Sequence, residues 1–274
     1  MALFGRRLAV SIPGTVLEEK ESPRDRTAKL GLFARACAIY GVDLIEVFRD
    51  PRGRGAESEI RQVLEYLETP QYLRRKLYPL DDSLRYAGIL PPLRIPSHKA
   101  KVPFDEIRVG EVRDGVANGD GTVDVGLDVA PRLRQRVAPG QRVTVRFASL
   151  RPAIVEEVRR EEINEYWGYR VEAKSLAEVL SDSRFGVRIA TSRLGTPVTK
   201  TLGQVEASIR GADGVKLIFG SPSRGLFDIV GRDLGKKVDF VLNLFPQQQV
   251  ETVRTEEAIF AGLWLVSLLS AEKA

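Results

Sequence analysis

Three short segments concentrate residues able to hold a small polar ligand: Thr191-Ser192-Arg193-Leu194-Gly195, Gly220-Ser221-Pro222-Ser223-Arg224-Gly225 and the longer Asn243 to Val253. Each follows a short apolar run and is expected at the carboxyl end of a parallel strand, where open α/β sheets bind their ligands. The middle segment has neither the GxGxxG spacing of a dinucleotide site nor the lysine of a P-loop, so both are disfavoured, and an ordinary strand-to-helix turn is the competing reading. The third segment is long and glutamine-rich (Gln247, Gln248, Gln249), and connections of that length tend to be functional. It runs into Arg254-Thr255-Glu256-Glu257, where Thr255 is placed to cap a helix and the two carboxylates lie near its positive end.

Other chemistry-bearing residues are few. His98 is the only histidine and Cys37 the only cysteine, so no intramolecular disulfide or Cys-based zinc site can form and no metal is expected. Cys37 lies in an apolar helical stretch and reads as core. His98 titrates near neutral pH and suits a general base, a base-stacking group or a loop residue near phosphates. Arg35 lies on a helix whose apolar face is Leu30, Phe33, Ala34 and Cys37, so its cation has no evident packing duty; permanently protonated, it works electrostatically rather than as a base. Net charge is +5 and the pI about 9.3, which permits nucleic-acid binding without requiring it. Arg132, Arg134, Arg136, Arg142 and Arg146 cluster together, with Arg94, Lys99 and Lys101 just before them. Phe104, Tyr166, Trp167 and Tyr169 are candidate stacking residues in the same region. Basic grooves with exposed aromatics bind single strands; a solvated surface and ordinary core packing are the competing readings.

These residues must be positioned by ordinary globular elements. The 274 residues are 43% hydrophobic and 29% charged, the balance of a folded soluble protein. No apolar run reaches the ~18–20 residues of a membrane span; the longest, Ala258 to Leu269, reads as a buried helix. The N-terminus carries Arg6 and Arg7 but no apolar stretch of signal-peptide length, so a cytoplasmic location is expected. The pattern predicts strand 8–12, helix 27–40 closed by Gly41, strand 43–48 and helix 56–67, an alternation that implies a parallel sheet. Strand-like runs follow at 107–113, 122–127, 141–147, 153–158 and 166–173, with turn signals at Asn118-Gly119-Asp120-Gly121 and Pro139-Gly140. Five short strands fit an OB-type barrel, with an SH3-like barrel as the alternative. The α/β rhythm then returns: strand 186–190, helix 202–210, strands 215–219 and 238–242, and a long helix over 255–269. The simplest architecture is one α/β domain built from residues 1–92 and 175–274, interrupted by an all-β insert over 93–174.

Three segments resemble the motifs of SPOUT-superfamily methyltransferases: Leu30 to Asp43 with its Arg35-Ala36 and Gly41-Val42-Asp43, Leu217 to Leu226, and Leu244 to Ile259. With the insert, Pro91-Pro92-Leu93, Pro96-Ser97-His98 and Val250 to Ala258, the chain is similar to the archaeal and eukaryotic branch that carries an inserted OB-type barrel. The resemblance implies a trefoil-knotted, mostly parallel sheet with helices on both faces. It also implies S-adenosyl-L-methionine (AdoMet) as methyl donor, RNA as substrate, ribosomal by the superfamily's habit, and a homodimer whose sites take groups from both subunits. Carried over, the donor-binding residues are Thr191, Ser192, Gly220, Ser221, Leu244, Gln248, Thr252 and Val253. Arg35 matches the arginine near the methyl donor, with Arg254 and Glu256 as further catalytic candidates. His98, Lys99, Arg132, Arg134, Arg136, Arg142 and Trp167 are the expected RNA contacts. The ribose-methylating branch has Ser and Asn where this chain has Thr252 and Arg254, and an acidic residue where it has Pro222, so transfer to a base, such as a uridine, is implied instead. The competing class is a non-catalytic RNA-binding or ribosome-assembly factor that keeps the knotted fold.

Overall fold

A computed structural model describes residues 7–17, 21–79 and 81–271; Arg6 of the N-terminal basic pair lies outside them. In chain order the elements are β1 (Arg7–Pro13), α1 (Pro23–Ile39), β2 (Leu44–Phe48), α2 (Glu57–Glu68), α3 (Gln71–Leu77), β3 (Val112–Ala117), β4 (Val123–Asp124), β5 (Arg132–Leu133), β6 (Arg142–Leu150), β7 (Ala153–Glu157), β8 (Arg170–Lys174), α4 (Leu176–Ser181), β9 (Val187–Pro197), α5 (Val198–Gly211), β10 (Gly214–Ile218), α6 (Leu226–Val230), α7 (Leu234–Lys237), β11 (Phe240–Asn243) and α8 (Thr255–Ser270). Within the described residues they form two compact units. One comprises Tyr66–Asp82 and Leu93–Gly168; the other comprises the segments up to Glu65, Ser83–Pro92 and those from Tyr169 onward. No described helix is long and apolar enough to cross a membrane.

The larger unit is a six-stranded sheet in the order β11-β9-β10-β1-β2-β8, with every pairing parallel. Its inner strands are buried along their length, as β2 and β10 show, which is what a sheet covered on both faces requires. Helix α1 starts where Ser22 Oγ accepts from Asp25 N with Pro23 at the first position, a standard helix entry. It ends at Gly41, whose φ of 67° suits the left-handed residue after a helix.

One buried ion cluster ties the sheet's middle together. Lys216 on β10 and Glu46 on β2 are both 0% exposed, and Lys216 Nζ lies 2.8 Å from Glu46 Oε2 and 2.8 Å from Asp182 Oδ2. Ser11 Oγ of β1 donates to Glu46 at 2.7 Å, and Arg184 lies 3.4 Å from Glu46. Burial works against the charge of Asp182, but bonds from Arg184 and Lys216 outweigh it and hold the carboxyl well below the usual carboxylate range.

The smaller unit holds a five-stranded sheet, β4-β3-β6-β7-β5, packed on Val123, Val125, Val143, Val145, Phe147 and Val155. Its two edge strands are bridged by Thr122 with Arg132 and by Val123 N donating to Pro131 O. The strand expected over 166–173 as the fifth of this sheet is instead β8, and it pairs in parallel with β2 at the edge of the large sheet. The fifth strand is the two-residue β5, too short and too basic to carry a period-2 signal.

Removing one member of the buried cluster leaves its partners charged and uncompensated. Glu46→Ala is expected to cost roughly 3–5 kcal/mol, read as a lowered urea midpoint, whereas Glu46→Gln combined with Lys216→Met should cost less than the sum of the two single changes.

Candidate functional site

The middle of β9 and the carboxyl ends of β10 and β11 meet at a cavity of about 320 Å³, so the segment 191–195, expected as a loop after a strand, lies inside β9. The cavity exists because β9 and β11 do not pair continuously. Val241 pairs with Ala190 and Leu242 with Thr196, so residues 191–195 are expelled from the ladder as a bulged loop. Gly195 sits against the partner backbone: a Cβ there would lie 2.7 Å from Val241 O, so only glycine allows this approach.

Side chains then lock the three loops to one another. Asn243 Nδ2 donates to Arg193 O at 3.1 Å, and Arg193 Nη1 donates to Glu251 O at 3.3 Å. Gln248 Nε2 donates to the carbonyls of Val250 and Glu251, holding the glutamine-rich segment in a closed turn. Thr191 Oγ1 donates to Ile218 O at 3.3 Å. Thr255, expected as a helix cap, instead donates its hydroxyl to Gly220 O at 3.2 Å; the cap position is Arg254, whose N–H donates to Glu257 Oε2 at 2.8 Å. The Gly220–Gly225 loop is closed by Ser221 N donating to Arg224 O. It is anchored by Arg224 Nη1 donating at 2.7 Å to Asp50, a fully buried carboxylate.

All eight residues assigned to the donor line this one cavity: Thr191, Ser192, Gly220, Ser221, Leu244, Gln248, Thr252 and Val253. Phe219, Phe227, Asp228 and Phe245 also line it and were not singled out from sequence. The Gly225-to-Asp228 spacing was their one signal, for Asp228 Oδ2 accepts from Gly225 N at 3.0 Å. Arg254 and Glu256 line a second cavity, which shares Pro222 and Thr252 with the first. Arg35 lines neither; its Nη1 donates to Pro92 O at 3.2 Å.

The expected RNA contacts divide. Arg132, Arg134 and Arg136 are exposed and Lys99 half-buried, and Arg134 pairs with Glu156. Three others are corrected by their surroundings. Trp167 is 4% exposed, with Nε1 donating to Asp114 Oδ1 at 2.9 Å, so its ring has no free face for a base. Arg142 bridges Glu68 and Asp114 at 2.6 and 2.5 Å, and its charge is already neutralised. His98 Nε2 donates to Glu68 O at 2.8 Å. Of the other aromatics, Tyr169 is buried with its hydroxyl on Leu64 O, and Phe104 packs on Phe147.

A family model described as "Putative RNA methyltransferase" matches residues 7–266. The chain belongs to this RNA methyltransferase family. It is 37% identical over 280 residues to an uncharacterized protein of Haloarcula marismortui, covering 95% of this chain and 98% of that one. It is 32% identical to a mouse protein and 31% to a human one, both named 28S rRNA (uridine-N(3))-methyltransferase; each match covers 93% of this chain, with 74% of the mouse protein and 76% of the human one. Membership makes the chain an enzyme.

His98 yields a pH test of its structural role. Burial disfavours its imidazolium and pushes its pKa below the usual histidine value, against the opposing effect of the Glu68 carbonyl. Stability from the neutral ring is therefore fully present above about pH 6.5 and is lost as pH falls below that toward the depressed folded value. His98→Gln, whose amide imitates the Nε2 donor, should flatten this part of the unfolding-midpoint profile between about pH 7 and pH 5.5; an unchanged slope would place the ring outside the folded core.

Proposed function

We propose that the chain transfers a methyl group from AdoMet to N3 of a uridine in ribosomal RNA. The observation that carries this reading is the convergence of three separate loops, with all eight assigned donor residues, on one cavity, in a family whose mouse and human relatives are named for uridine-N3 methylation of 28S rRNA.

The lining suits the donor. Phe219, Leu244, Phe245 and Val253 offer an apolar wall for adenine, and Thr191, Ser192, Ser221, Gln248 and Thr252 offer polar groups for the ribose and amino-acid ends. Gly220 lets the loop fold tightly: a Cβ there would lie 3.0 Å from Arg224 O. Asp228 and Glu251 complement a positively charged ligand. The bound donor supplies an electrophilic methyl on a sulfonium. The volume falls in the range of small-molecule sites. Pro222, Thr252 and Arg254, which replace the ribose-methylating residues, favour a base as acceptor.

The placement of β11 beside β9, reached after β10, supports the SPOUT-type trefoil knot. Homodimerisation is supported by exposed Trp264 and Leu268 on α8 and Leu32 and Ile39 on α1, two helices that pack on each other. A dimer also gives Arg35, outside its own chain's cavities, a place to act: stabilising charge on an acceptor in the partner's site. Arg254 and Glu256 act from the second cavity of the same chain. The five-stranded sheet of the smaller unit, without β8, is read as an OB-like RNA-binding barrel, its edge strands bridged at Thr122 and Arg132. We place the enzyme in the cytoplasm.

Calorimetric titration with AdoMet, followed by mass spectrometry of unmodified large-subunit rRNA after incubation, tests the reading. Binding and 3-methyluridine are expected; absence of either overturns it. Arg35→Ala should keep its melting temperature and AdoMet affinity while turnover falls by about tenfold or more, whereas a large melting drop with full specific activity makes the bond to Pro92 its whole role. For RNA retention, Arg132→Ala with Arg136→Ala should reduce the salt slope of rRNA binding by about one to two, and an unchanged slope places the RNA elsewhere.

A further inference from the structure

We propose that the second cavity is the subsite for the acceptor base, and that Glu256 selects an imide base there by accepting the hydrogen bond of its ring N–H. This rests on the methyl-transfer reading above. The cavity, about 670 Å³, lies between α1 and the start of α8 and is lined among others by Lys29, Leu32, Pro222, Thr252, Arg254 and Glu256. Because Pro222 and Thr252 also line the donor cavity, a planar ring seated here lies next to the methyl group's site.

Three carboxylates line this cavity, and two are satisfied. Glu21 pairs with Lys29. Asp25 accepts from Ser22 Oγ at 2.6 Å and stands in the first turn of α1. Glu256 is 7% exposed, and its Oε2 is buried without a hydrogen-bond partner. A buried carboxylate oxygen left unsatisfied is costly, and a ligand N–H removes that cost. Two cations line the same cavity. Lys29 Nζ is already held by Val16 O and Glu21, while Arg254 is exposed and forms no ion pair among the described residues.

An N–H acceptor in a cavity that also carries two cations fits uracil, whose N3–H lies between two carbonyls. Cytosine presents a lone pair at N3, which a carboxylate repels. Guanine presents an N–H but flanks it with an amino group, which the cations disfavour. Sites built to bond a particular N–H strongly reject analogues that lack it, because their buried polar group is left unpaired. In the transfer, the N3 electron pair forms the bond to the methyl carbon and the carbon–sulfur bond breaks with its electrons staying on sulfur. The N3 proton passes to Glu256 and from there to solvent. Arg254 offsets the negative charge that spreads onto the carbonyl oxygens flanking N3.

Glu256→Gln keeps the side chain's size and removes its ability to take a proton. With melting temperature and AdoMet affinity unchanged, turnover on unmodified large-subunit rRNA is expected to fall by about 100-fold or more. Discrimination between that rRNA and a transcript with cytidine at the mapped uridine should collapse toward unity in binding, since an amide can face either edge. Ala28→Trp, from an exposed helix position lining the same cavity, should fill it and block turnover while leaving AdoMet binding intact, and it serves if the glutamine variant unfolds. Wild-type turnover and discrimination in a folded Glu256→Gln protein, or full turnover in Ala28→Trp, overturns the subsite and leaves the methyl-transfer reading standing. A wild-type product without 3-methyluridine overturns that reading, and this assignment with it.

Discussion

The site depends on one failure of β pairing. Strands β9 and β11 run in register up to Ala190 and resume at Thr196, and the five residues between have no place in the ladder. Their backbone groups must be satisfied elsewhere, and Asn243, itself at the end of β11, supplies part of the answer by donating to Arg193 O. The expelled loop thus becomes a wall instead of a flaw. Gly195 makes the arrangement sterically feasible, and the β10 loop and the turn after β11 close around the space it leaves. Thr255 extends the same logic to α8 by donating to Gly220 O, which fixes the helix start, and therefore Glu256, relative to the loops around the cavity.

The two units use buried charge in similar ways. In the large sheet Lys216 is satisfied by Glu46 and Asp182; in the smaller unit Arg142 is satisfied by Glu68 and Asp114. Such groups add less net stability than apolar packing of equal volume, but removing one partner is severe. They also define which residues are unavailable for function. Once a guanidinium sits between two carboxylates, it has no charge left to offer a phosphate. Arg132 and Arg136 in the smaller unit and Arg254 at the second cavity are, by contrast, exposed.

Much of this was legible in the sequence, because periodicity and punctuation are local. The alternation of strands and helices, Gly41 at the end of α1 and the segments after β10 and β11 follow from short-range pattern, and the eight residues expected to bind the donor line one cavity, although 191–195 proves to be a bulge inside β9 rather than a loop after it. Contacts distant in sequence were not legible. Nothing near Trp167 announces Asp114, and nothing near His98 announces the Glu68 carbonyl, so exposed roles were assigned to side chains that the interior had already claimed. The strand 166–173 was assigned to the wrong sheet because its apolar residues say that it is buried, not against which neighbour. Thr255 looked like a cap because Ser and Thr usually are, and only the proximity of Gly220 shows its other use.

The tether between Asp50 and Arg224 spans 174 positions of chain and has a consequence on an evolutionary scale. Asp50 is fully buried, so a lineage that lost Arg224 alone would leave that carboxylate without its cation, held by Arg52 N–H and Thr15 Oγ1, and one that lost Asp50 alone would remove an anchor of the loop that carries Gly220 and Ser221. Neither step is passable singly at small cost. Change at either position is therefore constrained by the other, and the Gly220–Gly225 loop answers to a residue two positions past the end of β2. Across related sequences, the pair should read as a single inherited character.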